Sequence, residues 1–191
     1  MNQMVEVEIK IPVDEDGLSA FHRALAKAKA RRVDSETHED TYYQHPSRDF
    51  SRTDEALRVR LRESADSKGS TTTELTYKGP KLDATTKTRT ESTVTVDDSK
   101  KLGTILEFLG FRNVATIKKK RVFYSIGMVT VGVDEVQDLG SFVEFEIMVE
   151  GKDGVSSARA SLQSLIRQLG LDVTQSVRES YLELYLARKS H

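Results

Sequence analysis

The chain alternates apolar and polar side chains with period two over eight segments, the spacing of strands that bury one face. They fall near residues 4–11, 36–43, 56–63, 72–78, 87–96, 116–124, 129–136 and 142–149. Four other segments carry helical spacing. The first, about 17–32, presents Leu18, Phe21, Leu25 and Ala28; the second follows the start signal Asp97, Asp98, Ser99 and presents Leu102, Ile105, Leu106 and Leu109 before Gly110. The third carries Ala158, Leu162, Leu165, Ile166 and Leu169 before Gly170, and the fourth carries Val177, Tyr181, Leu184 and Tyr185. All four are amphipathic, so each is expected to lay a stripe on a core. Lys78, Gly79 and Pro80, and later Ile126 and Gly127, read as turns. The expectation is an α+β fold, with an eight-stranded antiparallel sheet closed as a barrel or tunnel and about four flanking helices, in one domain spanning 1–191.

The apolar faces of these strands are ordinary: Val5, Val7, Ile9; Leu57, Val59, Leu61; Val143, Phe145, Ile147. The opposite faces are not. They read Glu6, Glu8, Lys10; Arg58, Arg60, Arg62; Glu74, Thr76, Lys78; Lys87, Arg89, Glu91; Lys119, Arg121; Asp134; and Glu144, Glu146. A solvated sheet face with cross-strand ion pairs would account for the alternation alone. Two features favour a lumen instead. Arginine dominates the strand of Arg58, and its guanidinium suits bidentate phosphate contacts. Two Glu-x-Glu pairs at opposite ends of the chain suit oxygen ligands converging on a hard divalent cation. With the apolar face outward under helices, the charged faces line the inside, and a polyphosphate with its cation would balance them.

Composition narrows the classes. The 29 basic and 30 acidic residues nearly cancel, which argues against a general nucleic-acid partner but allows local clusters of one sign. Cysteine is absent, excluding disulfides, thiolate metal sites and a cysteine nucleophile. No apolar run approaches a membrane span, and Glu6, Glu8 and Lys10 interrupt any leader-like stretch, so a cytoplasmic location without membrane partners is expected. The four histidines lack metal-ligand spacing, no P-loop is present, and Tyr181 and Tyr185 read as packing residues.

Glu6-x-Glu8-x-Lys10 stands in order with Arg58-x-Arg60, the run Leu75, Thr76, Tyr77, Lys78, Gly79, Pro80, then Lys119-x-Arg121, Asp134 and Glu144-x-Glu146. This set resembles the CYTH family, the triphosphate tunnel metalloenzymes. The stretches His45 to Phe50 and Thr53 to Arg60 look most like its class IV adenylate cyclase branch. The resemblance implies that Lys10, Arg58, Arg60, Lys78, Lys87, Arg89, Lys119 and Arg121 bind the triphosphate. It implies that Glu6, Glu8, Asp134, Glu144 and Glu146 hold Mg²⁺ or Mn²⁺, and that Glu6, Glu8, Glu144 and Lys119 carry the chemistry. Glu74 and Glu91 are expected to pair with lumen cations.

Three functions follow from that resemblance. The first converts ATP to cyclic AMP and pyrophosphate. The second hydrolyses tripolyphosphate, thiamine triphosphate or a nucleoside triphosphate in the same lumen. The third is a polyphosphate or nucleotide binding module without turnover. A monomer or a homodimer is compatible with each.

Overall fold

The computed structural model describes residues 4–66, 70–81, 89–151 and 153–189. All eight expected strands form: β1 Met4–Val13, β2 Arg31–Gln44, β3 Ala56–Ser64, β4 Thr71–Lys81, β5 Arg89–Val96, β6 Arg112–Ile126, β7 Val129–Val136 and β8 Gly140–Glu150. They make one antiparallel sheet in the order β1-β8-β7-β6-β2-β3-β4-β5. Each neighbouring pair is joined by antiparallel ladder bonds.

The sheet curls strongly, but among the described residues no ladder joins β5 to β1, so the hydrogen-bonded ring stops short of closure. The two edges nevertheless come near each other, because Glu6 on β1 feels the charges of Lys78 on β4 and Glu91 on β5. Lys78, Gly79 and Pro80 do not make a turn. β4 runs through them to Lys81, with a register shift between Lys78 and Lys81. A proline that breaks the ladder is tolerated at such an irregularity.

The helices are α1 Glu15–Lys27, the short α2 Phe50–Thr53, α3 Ser99–Phe108, α4 Val155–Gln168 and α5 Tyr181–Lys189. Asp14 caps α1 by accepting from Gly17 N at 2.7 Å, and Asp98 caps α3 by accepting from Lys101 N at 2.9 Å. α1 ends earlier than its sequence pattern suggests. Lys29 takes a left-handed φ of 54°, and by Arg31 the chain is already in β2. No described helix is long and apolar enough to cross a membrane.

α1 and α4 cover the outer face of β1, β7 and β8. Phe21, Leu25, Leu162 and Ile166 meet Val131, Val143, Phe145 and Ile147 in the largest apolar cluster. α2 and α3 cover β3 from outside through Phe50 and Leu106 against Tyr43, Leu57 and Val59. Of the expected stripe on α3 only Leu106 is fully buried, while Ile105 and Leu109 face solvent together with Phe108. α5 does something different. It starts after Val177, which makes an isolated bridge to Lys10, and it seats Tyr181 against Tyr42, Ile117, Val136 and Phe142. By alternation those four residues share the inner face with the charged side chains, so α5 caps one end of the lumen with an apolar floor.

Candidate active site

The register of β1 on β8 decides which charges meet. Glu8 stands opposite Glu146, and Lys10 stands opposite Glu144. The two Glu-x-Glu pairs, far apart in sequence, are therefore neighbours on adjacent strands. β6 adds Lys119 and Arg121, with Arg121 opposite Asp134 of β7. Across the curl, β2 and β3 present Glu36, His38 and Asp40 against Arg62 and Arg60. These faces line a cavity of about 730 Å³ that runs from the carboxylates of β1 to the inner side of α5.

Glu6, Glu8 and Glu146 form the acidic corner of this cavity. Each offers an oxygen within 4.8 Å of the others. Burial, then the charge of Glu6, pushes the Glu146 carboxyl up to about 8, against the pull of Arg121. Burial and then Glu8 push Glu6 up to about 7, against Lys78. Since Glu6 remains open to solvent, the repulsion from its carboxylate neighbours is the firmer of its two causes. Carboxylates that hold protons because they crowd one another are equally ready to share a positive ion. Their hard oxygen donors and close spacing fit a small divalent cation such as Mg²⁺ or Mn²⁺.

The neighbouring wall is satisfied from within. Asp134 has no exposed surface and takes four contacts: Lys119 at 3.0 Å, two from Arg121 at 2.5 Å each, and the Tyr181 hydroxyl at 2.7 Å. Burial alone would raise the Asp134 carboxyl, but Lys119 and Arg121 hold it below the usual carboxylate range. Arg121 also donates to Glu144 and lies 3.5 Å from Glu146, so it bridges the satisfied wall and the acidic corner. Gly132 makes room for it, because a Cβ there would stand 3.1 Å from the Arg121 Nε. Burial, then the Arg121 charge, lowers the Lys119 ammonium. Lys10 is 2% exposed, lies 3.9 Å from Glu144, and sits over the Tyr181 ring at 4.2 Å.

The opposite wall is cationic with internal counter-charges. Arg60 grips Asp40 through two bonds of 2.6 and 2.7 Å, and the Arg58 guanidinium lies 3.9 Å from the same carboxylate. Despite burial, these arginines hold Asp40 far below its ordinary value. Arg62 links Glu36 at 2.6 Å to Glu74 at 2.8 Å, and Lys78 pairs with Glu91 at 2.6 Å. Glu74 and Glu91 thus pair with lumen cations, as their alternation suggested. The Arg58 Nε is buried with no hydrogen-bond partner among the described residues, although the residue lines the cavity.

Of the expected site residues, Lys10, Arg58, Arg60, Lys78, Lys119 and Arg121 line the cavity beside Glu6, Glu8, Glu144 and Glu146. Asp134 is fully buried, held by Lys119, Arg121 and Tyr181, and is not one of the three carboxylates of the acidic corner. Lys87 lies outside the described residues, and Arg89 opens β5 opposite Lys81. Among the further lumen residues, Glu36, His38 and Tyr181 carry no site role in the sequence reading. Alternation on β2 points to the first two, which share a face with Asp40 and Tyr42. Tyr181 carried no such signal, because helical spacing cannot reveal that α5 enters the lumen.

A curled antiparallel sheet with cations and carboxylates on its concave face and helices outside defines a tunnel-type fold. The chain belongs to the CYTH family: the CYTH domain model matches residues 4–181. It is 34% identical over 181 residues to the MJ0240 protein of Methanocaldococcus jannaschii, provisionally named an adenylate cyclase, covering 95% of this chain and 98% of that protein. It is 29% identical over 180 residues to the adenylate cyclase CyaB of Aeromonas hydrophila, covering 94% and 87%. Among solved structures, the PH1819 protein of Pyrococcus horikoshii OT3 superposes with a TM-score of 0.86 at 39% identity, over 96% of this chain and 99% of that one.

Proposed function

We propose that this chain is a metal-dependent enzyme acting on a triphosphate in its lumen, with conversion of ATP to cyclic AMP and pyrophosphate as its reaction. The observation that carries this reading is the juxtaposition of the acidic corner, Glu6, Glu8 and Glu146, with a cationic lining of Lys10, Arg58, Arg60, Lys119 and Arg121. The names of the relatives from Methanocaldococcus jannaschii and Aeromonas hydrophila favour the cyclase over other triphosphate chemistry.

In this reading the arginines and lysines bind the three phosphates and hold the chain of phosphorus atoms in one orientation. Arg60 and Arg121 are preorganised by Asp40 and Asp134, so their guanidiniums need no reordering as charge develops. A divalent cation held by Glu6, Glu8 and Glu146 would supply Lewis-acid polarisation of a phosphoryl oxygen when bound. The ribose 3′-hydroxyl oxygen forms the new bond to the α-phosphorus while its proton passes to solvent. The bond to the bridging oxygen of the β-phosphate breaks, and pyrophosphate departs with the charge that the cationic lining stabilises. Glu144 holds Arg121 directly, and Lys119 shares the Asp134 carboxylate with it, so in this reading Glu144 and Lys119 fix the cations beside the transferring group.

The test is a panel of ATP, tripolyphosphate and thiamine triphosphate with Mg²⁺ or Mn²⁺, reading cyclic AMP and orthophosphate together. Cyclic AMP from ATP is the expected result. Orthophosphate from tripolyphosphate with ATP untouched would replace the cyclase by the hydrolase. Tight binding without turnover of any of the three would leave a binding module.

A further inference from the structure

His38 is the one described histidine inside the cavity, and its ring is placed with unusual economy. Nε2 lies 2.5 Å from the Glu36 carboxylate. Glu36 is held ionised: burial would raise it, but hydrogen bonds from Arg62 and His38 keep it below its ordinary value. The proton between them therefore sits on Nε2, and the ring's other nitrogen is fixed by elimination. That nitrogen, Nδ1, is buried, and no described residue hydrogen-bonds to it. The whole residue is 1% exposed, yet it lines the cavity. An unpartnered buried nitrogen in a cavity wall is a group that a ligand can satisfy.

The neighbours say what. On its own strand His38 is flanked by Glu36 and Asp40. On β3 it faces Arg62, next to Arg60, and on β6 it faces Lys119, next to Arg121. Behind these stand Glu74 on Arg62 and Asp134 on Lys119. A polyanion drawn to the arginines and lysine would bring acceptor oxygens toward Nδ1, and an acceptor oxygen needs a donor opposite.

Resting on the triphosphate reading above, we propose that His38 is a further substrate-binding residue, which takes up a proton as the triphosphate enters and donates its Nδ1–H to a phosphate oxygen. The balance is simple: one proton moves from solvent to Nδ1, Glu36 stays ionised on Nε2–H, and no covalent bond changes. The electrostatics agree. In the free lumen, burial and then the charges of Arg60 and Lys119 depress His38 from 6.5 to about 4. A bound polyanion neutralises those same cations, so the ring moves back toward charge.

The experiment reads the protonation state of His38 in the metal-free protein, where no turnover competes. The His38 ring signal is assigned by its loss in His38→Gln, a variant whose amide can still donate to Glu36. It is then followed against pH by nitrogen-15 NMR, with and without tripolyphosphate, and calorimetry measures the anion's binding in parallel. The expected result is a His38 midpoint that rises by about three units, from about 4 to about 7, when tripolyphosphate binds, the upper range for nearby opposite charges. His38→Gln should weaken tripolyphosphate about tenfold near pH 6 and little near pH 8, the worth of one charge-assisted hydrogen bond. Binding with His38 still neutral near pH 6 overturns the assignment while leaving the triphosphate site intact. No tripolyphosphate binding to the unaltered protein overturns both.

Discussion

The lumen has two adjoining walls built from the same kinds of residue in opposite states. Around Asp134, each buried charge has an opposite partner: Lys119, Arg121 and the Tyr181 hydroxyl surround one carboxylate. At the acidic corner, Glu6, Glu8 and Glu146 crowd one another, and two of them hold their protons to about 7 and 8. The first wall is stable as it stands and serves as a rigid support. The second gathers three carboxylates with only Arg121 and Lys78 acting against them, which supports its reading as the proposed cation site. Arg121 touches both, so a ligand that draws on Arg121 alters the balance of both.

Breaking the corner should affect turnover most. Glu8→Gln should lower kcat on the order of 100-fold, the scale of losing one electrostatic group in a transition state, with tripolyphosphate affinity changed only a few-fold. Steady-state kinetics beside calorimetry separate the two effects. Equal activity would remove Glu8 from the corner's chemistry.

Breaking the satisfied wall should affect stability most. Asp134→Ala leaves Lys119 and Arg121 buried without their shared carboxylate, which costs about 3 kcal/mol, the lower range for a broken buried pair. Denaturant unfolding measures it. A loss below about 0.5 kcal/mol, the range of ordinary surface changes, would mean that Glu144 alone can hold both cations.

The pH dependence of stability sharpens the contrast. Glu6 and Glu146 have folded values above the ordinary 4.5, so the stability they contribute is full below that value and is lost as pH rises through about 7 and 8. Asp40 and Asp134 are lowered, so theirs is present above the ordinary 3.8 and lost only as pH falls below it. The metal-free protein should therefore melt at falling temperature from about pH 5 to pH 8, and Mn²⁺ should restore the loss at the alkaline end. Thermal scans across that range check the sign. A Tm that rises with pH and ignores Mn²⁺ would contradict it.

The smallest effect belongs outside the lumen. Phe108 on α3 is 86% exposed, so Phe108→Ser should change stability by less than about 0.5 kcal/mol and leave turnover unchanged. Thermal melting and the product assay check both.

The strands were legible because period two survives in every one of them, and a charged face repeated on many strands could only be a common surface. The pairing of Glu8 with Glu146 and Lys10 with Glu144 was not readable, since register is set by the whole ladder rather than by either strand. Helix ends were legible where glycine marked them, at Gly110 and Gly170, and missed at Lys29, whose left-handed backbone has no residue signal. The role of α5 was hidden for a different reason. Its amphipathic stripe was visible, but not that the stripe lies against lumen residues such as Phe142 instead of an outer face. Asp134 alternates with the lining just as the other acidic candidates do, and only geometry shows that Lys119 and Arg121 both pair with it.

Mn²⁺ binding followed by electron paramagnetic resonance, in the unaltered protein and in Glu8→Gln, Glu146→Gln and Asp134→Asn, tests the division of the lumen most directly. The unaltered protein and Asp134→Asn should both take up Mn²⁺, and Glu8→Gln and Glu146→Gln should bind it at least about tenfold more weakly, the worth of one ligand or its support. Unchanged affinity in Glu8→Gln and Glu146→Gln, with loss in Asp134→Asn, would contradict that division.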